Sequence, residues 1–153
     1  MINIEYKNEQ GHYPVFESKL NGKKVAVLYD INTAPYAEEI IKNLQNVGAT
    51  VLRAYFPDKE LIPNEYVLEN TAKIAKNADY LLAVGSGSLN DVAKKVSYDL
   101  SIECGVLATA ASMDGYCSKG AALMQGDFKI TFDVHTPCDV LVDPEIIKMH
   151  REI

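Results

Sequence analysis

The chain has 153 residues, enough for one domain with a sizeable core. Hydrophobic residues make up 48% and charged ones 24%, the balance of a soluble globular protein, and no apolar run approaches the length of a membrane span. The net charge of -6 argues against a nucleic-acid partner, because no basic stripe is present to neutralise phosphates.

The N-terminal Met1-Ile2-Asn3-Ile4-Glu5-Tyr6-Lys7 carries an acid and no long apolar run, so no signal peptide is expected. Val25-Ala26-Val27-Leu28-Tyr29 is a β-rich run that ends in Asp30. Residues 35–47 place Tyr36, Ile40, Ile41, Leu44 and Val47 on one helical face, and Gly48 is the expected stop. Thr50 to Phe56 reads as a second strand, ended by Pro57. Pro63-Asn64 opens a helix carrying Tyr66, Val67, Thr71, Ile74 and Ala75. Its Lys73 and Lys76 read as a solvated face.

Tyr80 to Val84 is a short apolar run of the buried-strand type. Gly85-Ser86-Gly87-Ser88 follows as a tight turn, and residues 89–100 repeat Leu89, Val92, Ala93, Val96 and Leu100 at helical spacing. A strand, a Gly/Ser turn and a helix together form a ready anion site. The glycines admit close backbone approach, and the free N–H groups of the first helical turn point at the anion. Gly105-Val106-Leu107-Ala108-Thr109 is a fourth strand.

Strands separated by helices of this length predict right-handed βαβ units and a parallel sheet. Ligands of such sheets bind beyond the carboxyl ends of the strands. Asp30, the Gly85–Gly87 turn and Thr109 should therefore line one edge. Residues 110–116 are small and polar and read as a loop across that edge, leading into a short helix. Residues 121–134 read as a hairpin around Gln125-Gly126-Asp127. Val140-Leu141-Val142 is a last short strand, and Asp143-Pro144-Glu145 begins a helix with proline at its favoured first position.

Cys104, Cys117 and Cys138 are odd in number and widely spaced, which fits neither a disulfide framework nor a zinc ribbon. A reduced, cytoplasmic setting is expected. Cys117 reads as a small packed residue, since no partner base is apparent. His12, His135 and His150 lie far apart and form no recognisable ligand pair, so they read as surface or structural residues.

Gly85-Ser86-Gly87-Ser88-Leu89-Asn90-Asp91-Val92-Ala93-Lys94 resembles the glycine-rich cofactor motif of the iron-containing alcohol dehydrogenase, glycerol dehydrogenase and dehydroquinate synthase superfamily. Thr109-Ala110-Ala111-Ser112-Met113-Asp114-Gly115-Tyr116, with Ser118 and Gly120-Ala121-Ala122-Leu123, is similar to its glycerol-1-phosphate dehydrogenase branch. The resemblance runs from about Val25 to the end.

It implies a Rossmann-like nucleotide-binding α/β domain followed by a helical domain, with the active site in the cleft between them. The chain is expected to be the NAD-binding part, over 1–153, of a longer two-domain dehydrogenase that transfers hydride between NAD(H) and glycerol, or glycerol phosphate and dihydroxyacetone phosphate. A divalent metal (zinc, nickel or iron) is expected only in the complete enzyme. The resemblance assigns Gly85, Gly87, Ser88, Leu89, Asn90 and Asp91 to the pyrophosphate. It assigns Asp30 to the adenosine ribose, where a carboxylate favours NAD over NADP. It assigns Thr109, Ala110, Ala111, Ser112 and Ser118 to further cofactor contacts, and Asp114 to the substrate. A non-catalytic nucleotide-binding module and a synthase of the dehydroquinate type stay open, as does a homo-oligomer.

Overall fold

A computed structural model describes the backbone of residues 1–58, 61–110 and 113–151, and the side chains of all of these except residues 113, 114, 150 and 151. The expected order of elements is present, and two more precede it. Strand β1 (Asn3–Tyr6) and helix α1 (Pro14–Lys19) come before β2 (Lys24–Asp30), α2 (Ala34–Asn46), β3 (Thr50–Phe56) and α3 (Glu65–Ala75). Then follow β4 (Tyr80–Gly85), α4 (Gly87–Leu100), β5 (Glu103–Ala108) and the one-turn α5 (Met113–Cys117). The hairpin β6 (Gly120–Gln125) and β7 (Phe128–Asp133), strand β8 (Asp139–Val142) and helix α6 (Pro144–Arg151) complete the chain.

Six strands form one parallel sheet in the order β1-β8-β5-β4-β2-β3, and β6-β7 form a separate antiparallel pair. Both faces of the sheet are covered, which explains why Val25–Tyr29 of β2 and Tyr80–Val84 of β4 run without a polar interruption. Alternation assigns the side chains. Val25, Val27, Tyr29, Leu82 and Val84 pack on one face with Phe16 of α1 and with Ile40, Ile41 and Leu44 of α2. Ala26, Leu28, Leu81 and Ala83 pack on the other with Val67 of α3, Val92, Ala93 and Val96 of α4, and Leu123 of the hairpin.

The register places functional candidates in one row. Asp30 pairs with Phe56, Leu28 with Ala83, Gly85 with Ala108, and Ala108 with Val142. Asp30, Gly85 and Ala108 thus end their strands at one level. The chain leaves β2 for β3 on one side and returns to β4 on the other. The crevice between the carboxyl ends of β2 and β4 is the topological switch point, where open α/β sheets bind their ligands.

Candidate functional site

The switch point is built from two strand ends and one helix start. Helix α4 begins at Gly87, two residues before the apolar periodicity of the sequence suggests, because Gly87 and Ser88 already occupy its first turn. Ser86 precedes the helix in an extended conformation, and its side chain makes no capping hydrogen bond. In α3, by contrast, the Asn64 side chain accepts from the Val67 N–H at 3.1 Å. The α4 start therefore keeps backbone donors of its first turn uncapped by the preceding side chain, at the positive end of a 14-residue helix.

Its two glycines do different things. A Cβ on Gly85 would lie 2.1 Å from Leu89 Cδ1, so this residue is small to let α4 close onto β4. A Cβ on Gly87 would meet nothing within 4 Å among the described residues. Gly87 is exposed and lines a cavity of about 340 Å³ with Pro63, Ser88, Asp91, Met124 and Lys129, between the α4 start and the hairpin. No contact among the described residues requires glycine at 87, whereas a ligand approaching the backbone would.

Asp30 lies at the neighbouring strand end and is 8% exposed. Its Oδ1 accepts from the Thr33 N–H at 3.0 Å and from Thr33 Oγ1 at 3.1 Å. These bonds hold the carboxyl group over the β2–α2 turn. Among the described residues no hydrogen bond reaches its Oδ2.

The other predicted positions divide. Leu89 is buried in the core. Asn90 is 1% exposed; its Nδ2 donates to the Tyr116 carbonyl at 3.4 Å and its Oδ1 has no partner among the described residues. Asp91 faces the same cavity as Gly87. Burial pushes its carboxyl above the usual carboxylate range, while Lys94, the Ala122 N–H and Lys129 pull the other way. Thr109 is buried and its N–H donates to the Gly85 carbonyl at 3.4 Å, and the Ala110 N–H donates to Tyr116 Oη at 3.0 Å. The structure thus brings Asp30, Gly85, Gly87, Ser88, Asn90, Asp91, Thr109 and Ala110 to one edge. Ser118 is exposed, and its Oγ lies 3.2 Å from Lys94 Nζ. Ala111 and Ser112 lie outside the described residues, as does the side chain of Asp114, whose backbone is in α5.

Two lysines received no role from the sequence. Lys129 of β7 lines the cavity beside Gly87 and Ser88 and is exposed. Lys94 is completely buried. Its spacing, four after Asn90 and three before Ser97 on the buried face of α4, was the available signal. Among the described residues no group of three or more His, Cys, Asp or Glu side chains is arranged to hold a metal ion. No helix among them is long and apolar enough to cross a membrane.

Residues 7–149 match the family profile of iron-containing alcohol dehydrogenases. The similarity therefore begins earlier than the motifs suggest, and takes in α1. The glycerol-1-phosphate dehydrogenase [NAD(P)+] of Methanoregula boonei is 30% identical over 134 residues, which are 88% of this chain and 36% of that protein. The enzyme of the same name from Methanocorpusculum labreanum is 37% identical over 112 residues, 68% of this chain and 31% of that protein. The chain thus spans about a third of the length of these curated relatives.

Among solved structures, glycerol dehydrogenase from Schizosaccharomyces pombe superposes with a TM-score of 0.80 at 20% identity, covering 96% of this chain and 39% of that one. An iron-containing alcohol dehydrogenase from Thermotoga maritima gives 0.78 at 16% identity, covering 95% and 46%. At these identities the superpositions establish the shared fold.

Proposed function

This chain belongs to the iron-containing alcohol dehydrogenase family, and we propose that it is the NAD-binding part, over 1–153, of a polyol-phosphate dehydrogenase of the glycerol-1-phosphate type. The carrying observation is the α4 start at the β2–β4 switch point, where a Cβ on Gly87 would meet nothing within 4 Å among the described residues. The uncapped first turn suits the pyrophosphate of a dinucleotide: its N–H groups point outward and a Cβ at 87 is absent. The Asp30 carboxyl suits the adenosine ribose, whose hydroxyls can donate to Oδ2. The same charge would repel a 2′-phosphate, which favours NAD. Thr109 and Ala110 extend the site along the sheet edge, continuing toward Ala111, Ser112 and the substrate contact proposed at Asp114. Ser118 is proposed as a further contact on the rim.

When bound, NAD(H) supplies hydride transfer, and the chain's task is to place it. The substrate class proposed is glycerol, or glycerol phosphate and dihydroxyacetone phosphate. The zinc, nickel or iron of the proposed complete enzyme is left to residues of a longer protein. A cytoplasmic setting and a homo-oligomer belong to the same reading. The test is titration of the chain with NADH, followed by nucleotide fluorescence and calorimetry. Saturable binding near one NADH per chain is expected. Absence of binding at millimolar NADH would refute the assignment.

A further inference from the structure

Lys94 is 0% exposed, an unusual place for an ammonium group. Its Nζ donates to the carbonyl oxygens of Gly120 at 2.6 Å, Ser118 at 3.2 Å and Gly115 at 3.4 Å, and to Ser118 Oγ at 3.2 Å. Asp91 Oδ1 lies 3.7 Å away. Every oxygen except that of Asp91 comes from residues 115–120, which run from within α5 to the first residue of β6. The hairpin reaches that stretch at the Lys119 carbonyl, which accepts from the Val134 N–H at 2.7 Å, and a five-residue helix is marginal by itself. An ammonium carries three donors and a full charge, so it can gather several carbonyls at once.

The same helix face makes a second attachment one turn earlier. Asn90 Nδ2 donates to the Tyr116 carbonyl, and Tyr116 Oη accepts from the Ala110 N–H. A continuous set of bonds therefore runs from α4 through α5 to the end of β5. Its two ends are the pieces of the sheet edge assigned above to the cofactor, the α4 turn and Thr109–Ala110.

We infer that Lys94 is a positioning residue: its buried ammonium clamps residues 115–120 onto α4 and, through Tyr116, sets Thr109–Ala110 at the proper height beside the α4 turn. The inference rests on the nucleotide reading for its consequence, though the clamp itself does not. Lys94 is fully buried and acts through these contacts rather than from the surface of the site. Its effect should fall on the part of the dinucleotide beyond the pyrophosphate, because Asp30 and the α4 turn are held by other contacts.

The test uses Lys94→Met, which keeps the length and apolar stem but cannot donate, and Ser118→Ala, which removes one of the gathered oxygens. Binding of NADH and of ADP is measured for each, together with amide hydrogen exchange. K94M should weaken NADH about tenfold while ADP affinity stays within about twofold, since lost donors leave several carbonyls unpaired at one end of the site only. Exchange should speed up across 115–120 and not in β2 or β4. S118A should give a smaller change of the same pattern.

Equal losses for NADH and ADP would indicate general damage and overturn the positioning role. Unchanged exchange at 115–120 would overturn the clamp. If K94M does not fold, S118A decides: unaltered exchange and NADH affinity overturn the inference. If the unaltered chain takes up neither nucleotide, the nucleotide reading and the positioning role fail together, and exchange in K94M still judges the clamp.

Discussion

Gly85 and Leu89 fit against each other so closely that a Cβ on Gly85 would lie 2.1 Å from Leu89 Cδ1 and 3.2 Å from Leu89 Cβ and Cγ. Leu89 is 4% exposed and cannot swing into solvent without vacating the core. Gly85→Ala should therefore destabilise by about 1–3 kcal/mol, as overpacked cores do. At Gly87, two residues on, a Cβ would meet nothing within 4 Å among the described residues. Gly87→Leu should leave stability within about 0.5 kcal/mol, as for an unconstrained surface position, and abolish NADH binding by blocking the backbone. Thermal unfolding and NADH titration of both variants give the check. A G87L protein that binds NADH normally would remove the pyrophosphate from this turn.

A second prediction concerns cofactor choice. The Asp30 carboxyl is held by two bonds from Thr33, and Asn can accept both through its own Oδ1. Asp30→Asn should thus preserve the turn while removing the charge. The unaltered chain should bind NADH more tightly than NADPH, and D30N should narrow the gap chiefly by improving NADPH. Calorimetry showing equal affinities for the two in the unaltered chain would take the role from Asp30.

Much of the fold can be read from the sequence because its central strands are buried on both faces. Val25–Tyr29 and Tyr80–Val84 carry no polar interruption and are buried throughout. β1 left no comparable signal: it is an edge strand of four residues, Asn-Ile-Glu-Tyr, three of them exposed. α1 spans six residues and buries a glutamate, Glu17, whose Oε2 accepts from the Tyr13 N–H at 2.7 Å. No periodicity can emerge over so short a helix. Within the site, the glycine turn and Asp30 are legible because strand ends are. The partners of Lys94 lie 21 to 26 residues away in the chain, and nothing local to the motif predicts that its lysine turns inward.

Alkali should destabilise the fold. Burial pushes the Cys104 thiol up to about 11 from 9.0. Burial, with Asp139 beside it, drives the Tyr80 hydroxyl well above its ordinary value. Both groups stay protonated in the folded chain over a range where the unfolded chain has lost the proton. The folded state then binds more protons, so stability falls as pH rises, beginning near pH 9, by up to about 1.4 kcal/mol per unit for one such group. Lys94 works in the opposite sense, since burial lowers its value despite Asp91. Urea midpoints at about pH 8 and pH 10 should show the decline. A midpoint that is constant or rises would mean that the buried acids do not dominate.

The last prediction concerns Lys129. It stands on β7, exposed, and lines the same cavity as Gly87 and Ser88. The chain carries a net charge of -6, so a dianionic pyrophosphate approaches against the overall field. A cation at the mouth of the turn offsets that repulsion locally. Asp91 feels the same lysine, which lowers its carboxyl against the effect of burial. Lys129→Ala should therefore weaken NADH at low salt by a factor of up to about five, the scale of an exposed ion pair, and Lys129→Glu should weaken it further. Stability should be unchanged in both, because the side chain is exposed. Screening identifies the cause: at high ionic strength the three proteins should converge in affinity as the Debye length shrinks. A loss in K129A that is independent of salt would mean that the side chain acts by shape or hydrogen bonding, and an unaltered affinity at low salt would place the nucleotide away from the hairpin altogether.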